Sequence, residues 1–203
     1  MAKIRSDIVA TARCYEDGCG GMMEGRKGEY KYAESGLNSV ILKDILVFHC
    51  TKCNAIVPEI PAAGVLHRVI ALRLLRKRSL LTGGELRFLR KLCGYSINDL
   101  AEIMGSSKNV VSRWETHAHG EGTERTIRLL VLAKLVREMV GQPDPILRNI
   151  SVEALSVEIE NTLKLIQSRS VDEKYEISPE EIAHLGGEEN RKPLVESTSL
   201  AVV

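Results

Sequence analysis

A chain of 203 residues has room for one or two domains with a buried core, and 44% hydrophobic residues is ordinary for a globular protein. No apolar run is as long as a membrane span; the best, LLVLAKLV at 129–136, is short and contains Lys134, so no membrane partner is expected. The net charge of +1 hides an asymmetry: residues 62–118 hold ten Lys/Arg against four Asp/Glu, and residues 142–203 hold six against twelve. That division suggests a basic module for an anionic partner and an acidic appendage, or else two solvated surfaces that simply differ.

In chain order, MAKIRSDIVATARC lacks the apolar stretch and small-residue cleavage site of a secretory signal. A cytoplasmic protein with reduced thiols is therefore expected, and paired cysteines point to metal before disulfide. Residues 1–61 are rich in Gly and β-formers, with SVILKDILVFHC as the strongest strand. Its mixed alternation around Asp44 predicts a bulge or a break between two short strands. From Ala62 the period becomes helical, with Leu66, Val69, Ile70, Leu72 and Leu75 on one face before the basic RKR at 76–78. TGGE at 82–85 forms a capping box for a helix over 83–92, which Gly94 ends. Ser96 with Asp99 caps a second helix to Met104, Gly105 turns the chain, and Ser107 caps a third over 108–116.

The polar loop THAHGEGTE leads to a long helix at about 124–140, and a further helix is predicted at 151–168 with Val152, Leu155, Ile159, Leu163 and Ile166 on one face. A short capped helix is expected at SPEE, 178–181, and disorder over the last dozen residues. Beyond Ser170 the acidic tail offers little to bury. A chain shortened to about Arg169 is accordingly expected to keep its assembly and its binding. The fold class is α+β: a β-rich metal-binding domain over 1–61, an all-α domain over 62–141, and an acidic helical extension with a disordered tail over 142–203.

Cys14-x4-Cys19 and Cys50-x2-Cys53 are two close pairs separated by strands. Zinc takes four ligands in a tetrahedron, and two pairs on two turns supply them with little chain strain. Four thiolates fill every position, so the ion is read as structural Zn2+, stapling a β region whose own core is small. His49 is an alternative ligand beside Cys50. Cys93 is read as a small buried hydrophobe.

A helix-turn-helix needs a small residue where its helices approach, a turn open to positive φ, and apolar residues locking the second helix. Ala101, Gly105, Val111 and Trp114 fall in that register, with Leu100, Ile103 and Met104 completing the inner side of the first helix. With Val111 and Trp114 buried, Asn109, Ser112 and Arg113 face outwards and Lys108 lies near the helix start. Asn can bond adenine N6 and N7, and Arg guanine O6 and N7, each bidentately. Four residues apart, Asn109 and Arg113 stand one turn apart on one face. Arg87 and Lys91 are read as supporting contacts to phosphate, and Ser107 as a further DNA contact. Glu115 is read as a structural partner of a nearby Arg. His117 and His119 form an HxH pair in a loop without nucleophile or base, so no enzyme is expected.

The order Cys pair, strands, Cys pair, helix, then SINDLAEIMGSSKNVVSRWE is similar to the MqsA (YgiT-type) zinc-finger antitoxins, and the second half resembles the wider Xre/Cro repressors. TERTIRLLVLAKL resembles the dimer-forming helix that follows in that family. The likeness implies an N-terminal zinc domain able to bind a toxin protein, and a homodimer binding a palindromic operator in double-stranded DNA. Its base-reading Asn and Arg match Asn109 and Arg113. The first Cys pair is spaced x4 where the family has x2, and the chain runs about sixty residues past the family's usual end. The expected function is a sequence-specific transcriptional repressor, either an antitoxin-type autoregulator or a stand-alone regulator. A protein-interaction module without DNA binding is the rival class. The dimer contact is expected on Ile127, Leu130, Val131, Lys134, Leu135 and Met139, unless that stripe packs within one chain.

Overall fold

The computed structural model describes residues 8–60, 62–117, 119–140, 157, 159–160, 167–170 and 174–186. A sheet leads the chain: β1 (Ala10–Arg13), β2 (Met22–Lys31), β3 (Val40–Cys50) and β4 (Ile56–Pro58) pair antiparallel in that order. A 3-10 turn, Ala33–Ser35, joins β2 to β3. The expected bulge is present, inside one continuous strand. Gly28 pairs with Ile45 and Tyr30 with Leu42, so the single residue Glu29 stands against Lys43 and Asp44. Asp44 takes φ 54°, which an Asp tolerates better than most residues. The extra residue resets the alternation, and Leu42 and Ile45, three apart, both become buried.

Helices follow: α1 (Ala63–Arg76), α2 (Gly83–Leu92), α3 (Ile97–Ile103), α4 (Lys108–Trp114) and α5 (Glu121–Val140). The α+β class is therefore as expected. Both capping boxes form, with Thr82 and Glu85 opening α2 and Ser96 and Asp99 opening α3. The long helix begins at Glu121, three residues before the expected start. Its stripe is spent internally: Ile127, Val131, Leu132 and Leu135 are buried in the chain's own core.

The C-terminal third departs most from expectation. Of the helix predicted at 151–168, residues 157, 159 and 160 are helical, while 167 and 168 belong to β6 (Gln167–Ser170), which pairs parallel with β5 (Ser79–Leu80); the rest lies outside the described residues. β7 (Tyr175–Ile177) then joins the first sheet, parallel to β3 through Val40, Ile41 and Leu42. The SPEE helix is α6 (Pro179–Gly186), and Ser178 Oγ accepts from the Glu181 backbone N–H. The expectation that residues beyond Ser170 bury little is overturned: Tyr175, Ile177 and Ile182 are 5%, 0% and 2% exposed. Ion pairs reinforce the contact, Arg73 to Glu181 at 2.6 Å and Lys43 to Glu176 at 3.3 Å. Charge asymmetry in the sequence is thus partly an internal complementarity. One buried cluster runs from Tyr32 and Val40 through Leu66, Leu86 and Val131 to Ile177.

A buried polar network crosses this core. Arg128, fully buried, donates from Nε to Glu124 Oε1 at 2.6 Å and from its two Nη atoms to the carbonyls of Leu75, Lys77 and Ser79. Glu124 Oε1 also accepts from Leu81 N–H at 3.1 Å, and its Oε2 meets His119 Nε2 at 2.5 Å. Lys77 Nζ lies 2.8 Å from Glu85 Oε2, again buried. Burial alone would push the Glu124 carboxyl up, but hydrogen bonds and charge from His119 and Arg128 outweigh it and hold the group below its ordinary value.

Two expected outcomes follow from this packing. Fully burying a Val/Leu/Ile/Phe-sized side chain is worth about 1.5–3 kcal/mol. Removing residues 170–203 uncovers three of that size or larger, against a whole-domain stability of about 5–15 kcal/mol. The shortened chain should lose most of its denaturant resistance; an unchanged urea midpoint would contradict the packing. Because the Glu124 pKa is depressed on folding, its stabilisation is complete above its unfolded value and is lost as pH falls through the folded one. Thermal stability should therefore drop on acidification below about pH 4.5, and Arg128→Met should shrink that acid-sensitive component while costing about 3–5 kcal/mol at neutral pH.

Candidate metal centre and nucleic-acid interface

Two regions carry candidate chemistry. The first lies at the end of the sheet where two chain reversals meet: Cys14 and Cys19 flank the β1–β2 turn, and Cys50 and Cys53 the β3–β4 turn. Pairing of Met23 with Cys50 brings the turns side by side. All four sulfurs lie within 4.8 Å of one another, with Cys14 Sγ 3.5 Å from Cys53 Sγ and Cys19 Sγ 3.7 Å from Cys50 Sγ. A disulfide would need about 2.05 Å. A tetrahedron of sulfurs about 2.3 Å from an ion has edges of about 3.8 Å, so the spacing suits a metal and not a bridge.

The β3–β4 turn prepares one of the thiols for an ion. Backbone N–H groups of Cys53 and Lys52 draw the Cys50 thiol down to about 6, the latter donating to its sulfur at 3.4 Å. That favours the thiolate a metal requires. Gly21 is needed for the clustering, because a Cβ there would sit 2.8 Å from Cys50 Sγ and 3.2 Å from Cys19 Sγ. His49 is exposed and pairs across the strand with Ile56, outside the thiol group. Cys93 is buried at the end of α2, away from the other four.

The second region is built by α3 and α4. Leu100 and Ala101 are buried at their approach, Gly105 turns with φ 57°, and Val111 is fully buried with Trp114 half-buried beside the core. Ile103, expected on the inner side, is instead 49% exposed. Ser107 caps α4, accepting from Val110 N–H at 3.4 Å. Lys108, Asn109, Ser112 and Arg113 are all exposed, and the helical period puts Asn109 and Arg113 on the side opposite Val111. Arg113 was the last DNA contact expected on this helix, yet the exposed edge continues through Thr116 and His117, whose side chains bond each other at 2.8 Å. Their spacing from Ser112 and Arg113, three to five residues, was the available signal.

Glu115 fixes the direction in which this helix points. Its buried carboxylate accepts from Arg90 Nε at 2.5 Å and Nη2 at 3.2 Å, and from Arg87 Nε at 3.1 Å. Arg87 is thereby tied while half its side chain stays in solvent, and Lys91, one turn on, is exposed. The HxH pair separates: His117 is exposed, whereas His119 is buried against Glu124, and no protein group among the described residues bonds His119 Nδ1.

A model of the helix-turn-helix family matches residues 86–137, spanning most of α2, all of α3 and α4, and most of α5. No curated protein and no solved structure matches the chain. The matched segment is that of a DNA-binding transcription regulator. No helix among the described residues is long and apolar enough to cross a membrane.

The close approach of α2 to α4 gives a direct check on this arrangement. A Cβ at Gly83 would lie 2.3 Å from the carbonyl oxygen of Glu115, which is backbone and cannot swing away. Gly83→Ala should cost about 1–3 kcal/mol and displace the end of α4, so that calorimetry shows a lowered Tm and DNA affinity falls with it.

Proposed function

We propose that the protein is a sequence-specific transcriptional repressor that reads double-stranded DNA with α4. The observation that carries this reading is the exposed quartet Lys108, Asn109, Ser112 and Arg113 on a helix that Val111 locks to the core and whose end Glu115 holds. A helix so fixed delivers two bidentate readers to the major groove at constant register, Asn109 for adenine and Arg113 for guanine. Ser107 and Arg87 join Lys108 in contacting phosphate. One such helix covers few base pairs, so the working form is a homodimer on a palindrome with half-sites about 34 Å apart. Its contact surface lies outside Ile127, Val131 and Leu135, which the monomer's core already uses.

The resident ion in this reading is zinc, held structurally by Cys14, Cys19, Cys50 and Cys53. A second reading, that the repressor is an antitoxin-type autoregulator binding a toxin protein through its N-terminal sheet, is favoured by where apolar side chains remain exposed. Val9, Tyr15, Met22 and Ile56 are 63%, 60%, 48% and 50% exposed, and all lie in or beside that sheet. Exposed apolar residues gathered in one region mark interaction surfaces. A small ribonuclease-like reading frame beside the gene, whose product co-purifies with this chain and is lost on Met22→Glu, is the expected result under that reading.

Selection of bound sequences from a random pool should yield a palindrome. On that site Asn109→Ala and Arg113→Ala should each cost about 1–3 kcal/mol and relax base preference at one position per half-site. Lys108→Ala should weaken all sequences alike and flatten the salt dependence. Undiminished affinity in Arg113→Ala would show that another face reads the bases. Elemental analysis should find one zinc per chain, lost on replacing any of the four cysteines of the cluster by Ser but retained in Cys93→Ser; metal-free protein from a chelator-free preparation would exclude the zinc assignment.

A further inference from the structure

A cavity of about 410 Å³ opens between the 3-10 turn, α1 and α2, lined by Glu34, Ser35, His67, Phe88, Lys91 and Leu92. It is neither the four-thiol cluster nor the exposed face of α4. Its volume falls in the range of small-molecule sites, about 300–1,000 Å³.

Most of its polar groups are already spent on the fold. Ser35 Oγ donates to the Tyr32 carbonyl at 2.7 Å and accepts from Leu37 N–H at 3.1 Å. His67 Nε2 bonds the Tyr32 hydroxyl at 2.9 Å, while its ring stacks on Tyr32 and stands perpendicular to Phe88 with centroids 5.7 Å apart. Burial pulls its pKa down, so the imidazole is a neutral, fixed wall. Phe88, 7% exposed, and Leu92, half-buried, supply apolar surface beside these groups.

Two charges are left. Lys91 makes no hydrogen bond or ion pair among the described residues, and Glu34 uses one carboxylate oxygen, Oε1, to accept from the Tyr30 hydroxyl. Although they share one cavity, they do not pair with each other. An anion entering alone would meet Glu34, and an amine alone would meet Lys91.

We propose that this cavity binds a small zwitterion of the α-amino acid type, its carboxylate on Lys91, its ammonium on Glu34 and an apolar side chain against Phe88 and Leu92. The ligand joins the 3-10 turn to α2, and α2 holds the end of α4 through Arg87, Arg90 and Glu115. Binding there therefore bears on the helix assigned to DNA. That consequence rests on the DNA-binding reading; the binding itself does not. The same assignment moves Lys91 from phosphate contact to ligand contact.

The test is calorimetric titration of the full chain with L-leucine, L-methionine and L-phenylalanine, each beside its N-acetyl and its amide derivative. At least one free amino acid should bind at millimolar concentration or below, and its two derivatives, each lacking one charge, should bind about tenfold more weakly or not at all. Glu34→Gln and Lys91→Met should each weaken the free amino acid by about the same factor, with circular dichroism showing both variants folded. Three results would each overturn the proposal: no free amino acid binding at millimolar concentration, an N-acetyl derivative binding as tightly as its parent, or binding undiminished in both folded variants.

Discussion

The guanidinium of Arg128 decides how the helices meet. Hydrophobic burial is non-directional and would let α1, α2 and α5 pack at many angles around the same apolar residues. Arg128 removes that freedom by donating to three carbonyls, Leu75, Lys77 and Ser79, in the segment that leaves α1. Glu124, one turn earlier on α5, neutralises it and accepts from the Leu81 N–H. A segment buried between helices would otherwise hold several unsatisfied backbone groups, each costing about 1–3 kcal/mol. Thr82, the residue that follows, is the cap of α2. The helix-turn-helix therefore starts from a fixed point.

From that point orientation passes outwards through polar contacts of the same kind. Glu85 completes the cap of α2 and, buried, takes the Lys77 ammonium and the Tyr175 hydroxyl. Arg87 and Arg90 on α2 then hold Glu115, the residue that ends α4. The apolar contacts of Val111 and Trp114 press α4 inwards, but the two guanidinium contacts set its roll and tilt. For a helix that places two side chains against base edges, those are the coordinates that matter.

β3 carries the corresponding logic through the sheet. Its last residue, Cys50, belongs to the thiol cluster, and its first three pair with β7 from the far end of the chain. The strand is thus held at one end by the cluster and at the other by the C-terminal clasp, with Lys43 joining Glu29 and Glu176 at the bulge between. This is how an acidic C-terminal segment and a Cys-bearing N-terminal region come to flank a shared core.

Whatever depends on neighbours in sequence could be read before any coordinates. The capping boxes at Thr82 and Ser96, the turn at Gly105 and the burial of Val111 follow from local hydrogen bonding and the helical period. The bulge near Asp44 followed from a break in alternation, and two close cysteine pairs were legible as a four-thiol cluster because spacing alone limits how such residues can meet. Contacts between distant segments carried no such signal. YEI and SPEE look like solvated chain, because three-residue strands and one short helix gain their burial only from β3 and α1. Arg128 lies in a helical pattern where an arginine ordinarily marks the wet face, and only the arrival of three carbonyls from another segment turns it inwards. The stripe of Ile127, Val131 and Leu135 was equally ambiguous, since core and interface demand the same residues at the same spacing. Periodicity determined that a face would be buried; tertiary packing decided what buried it.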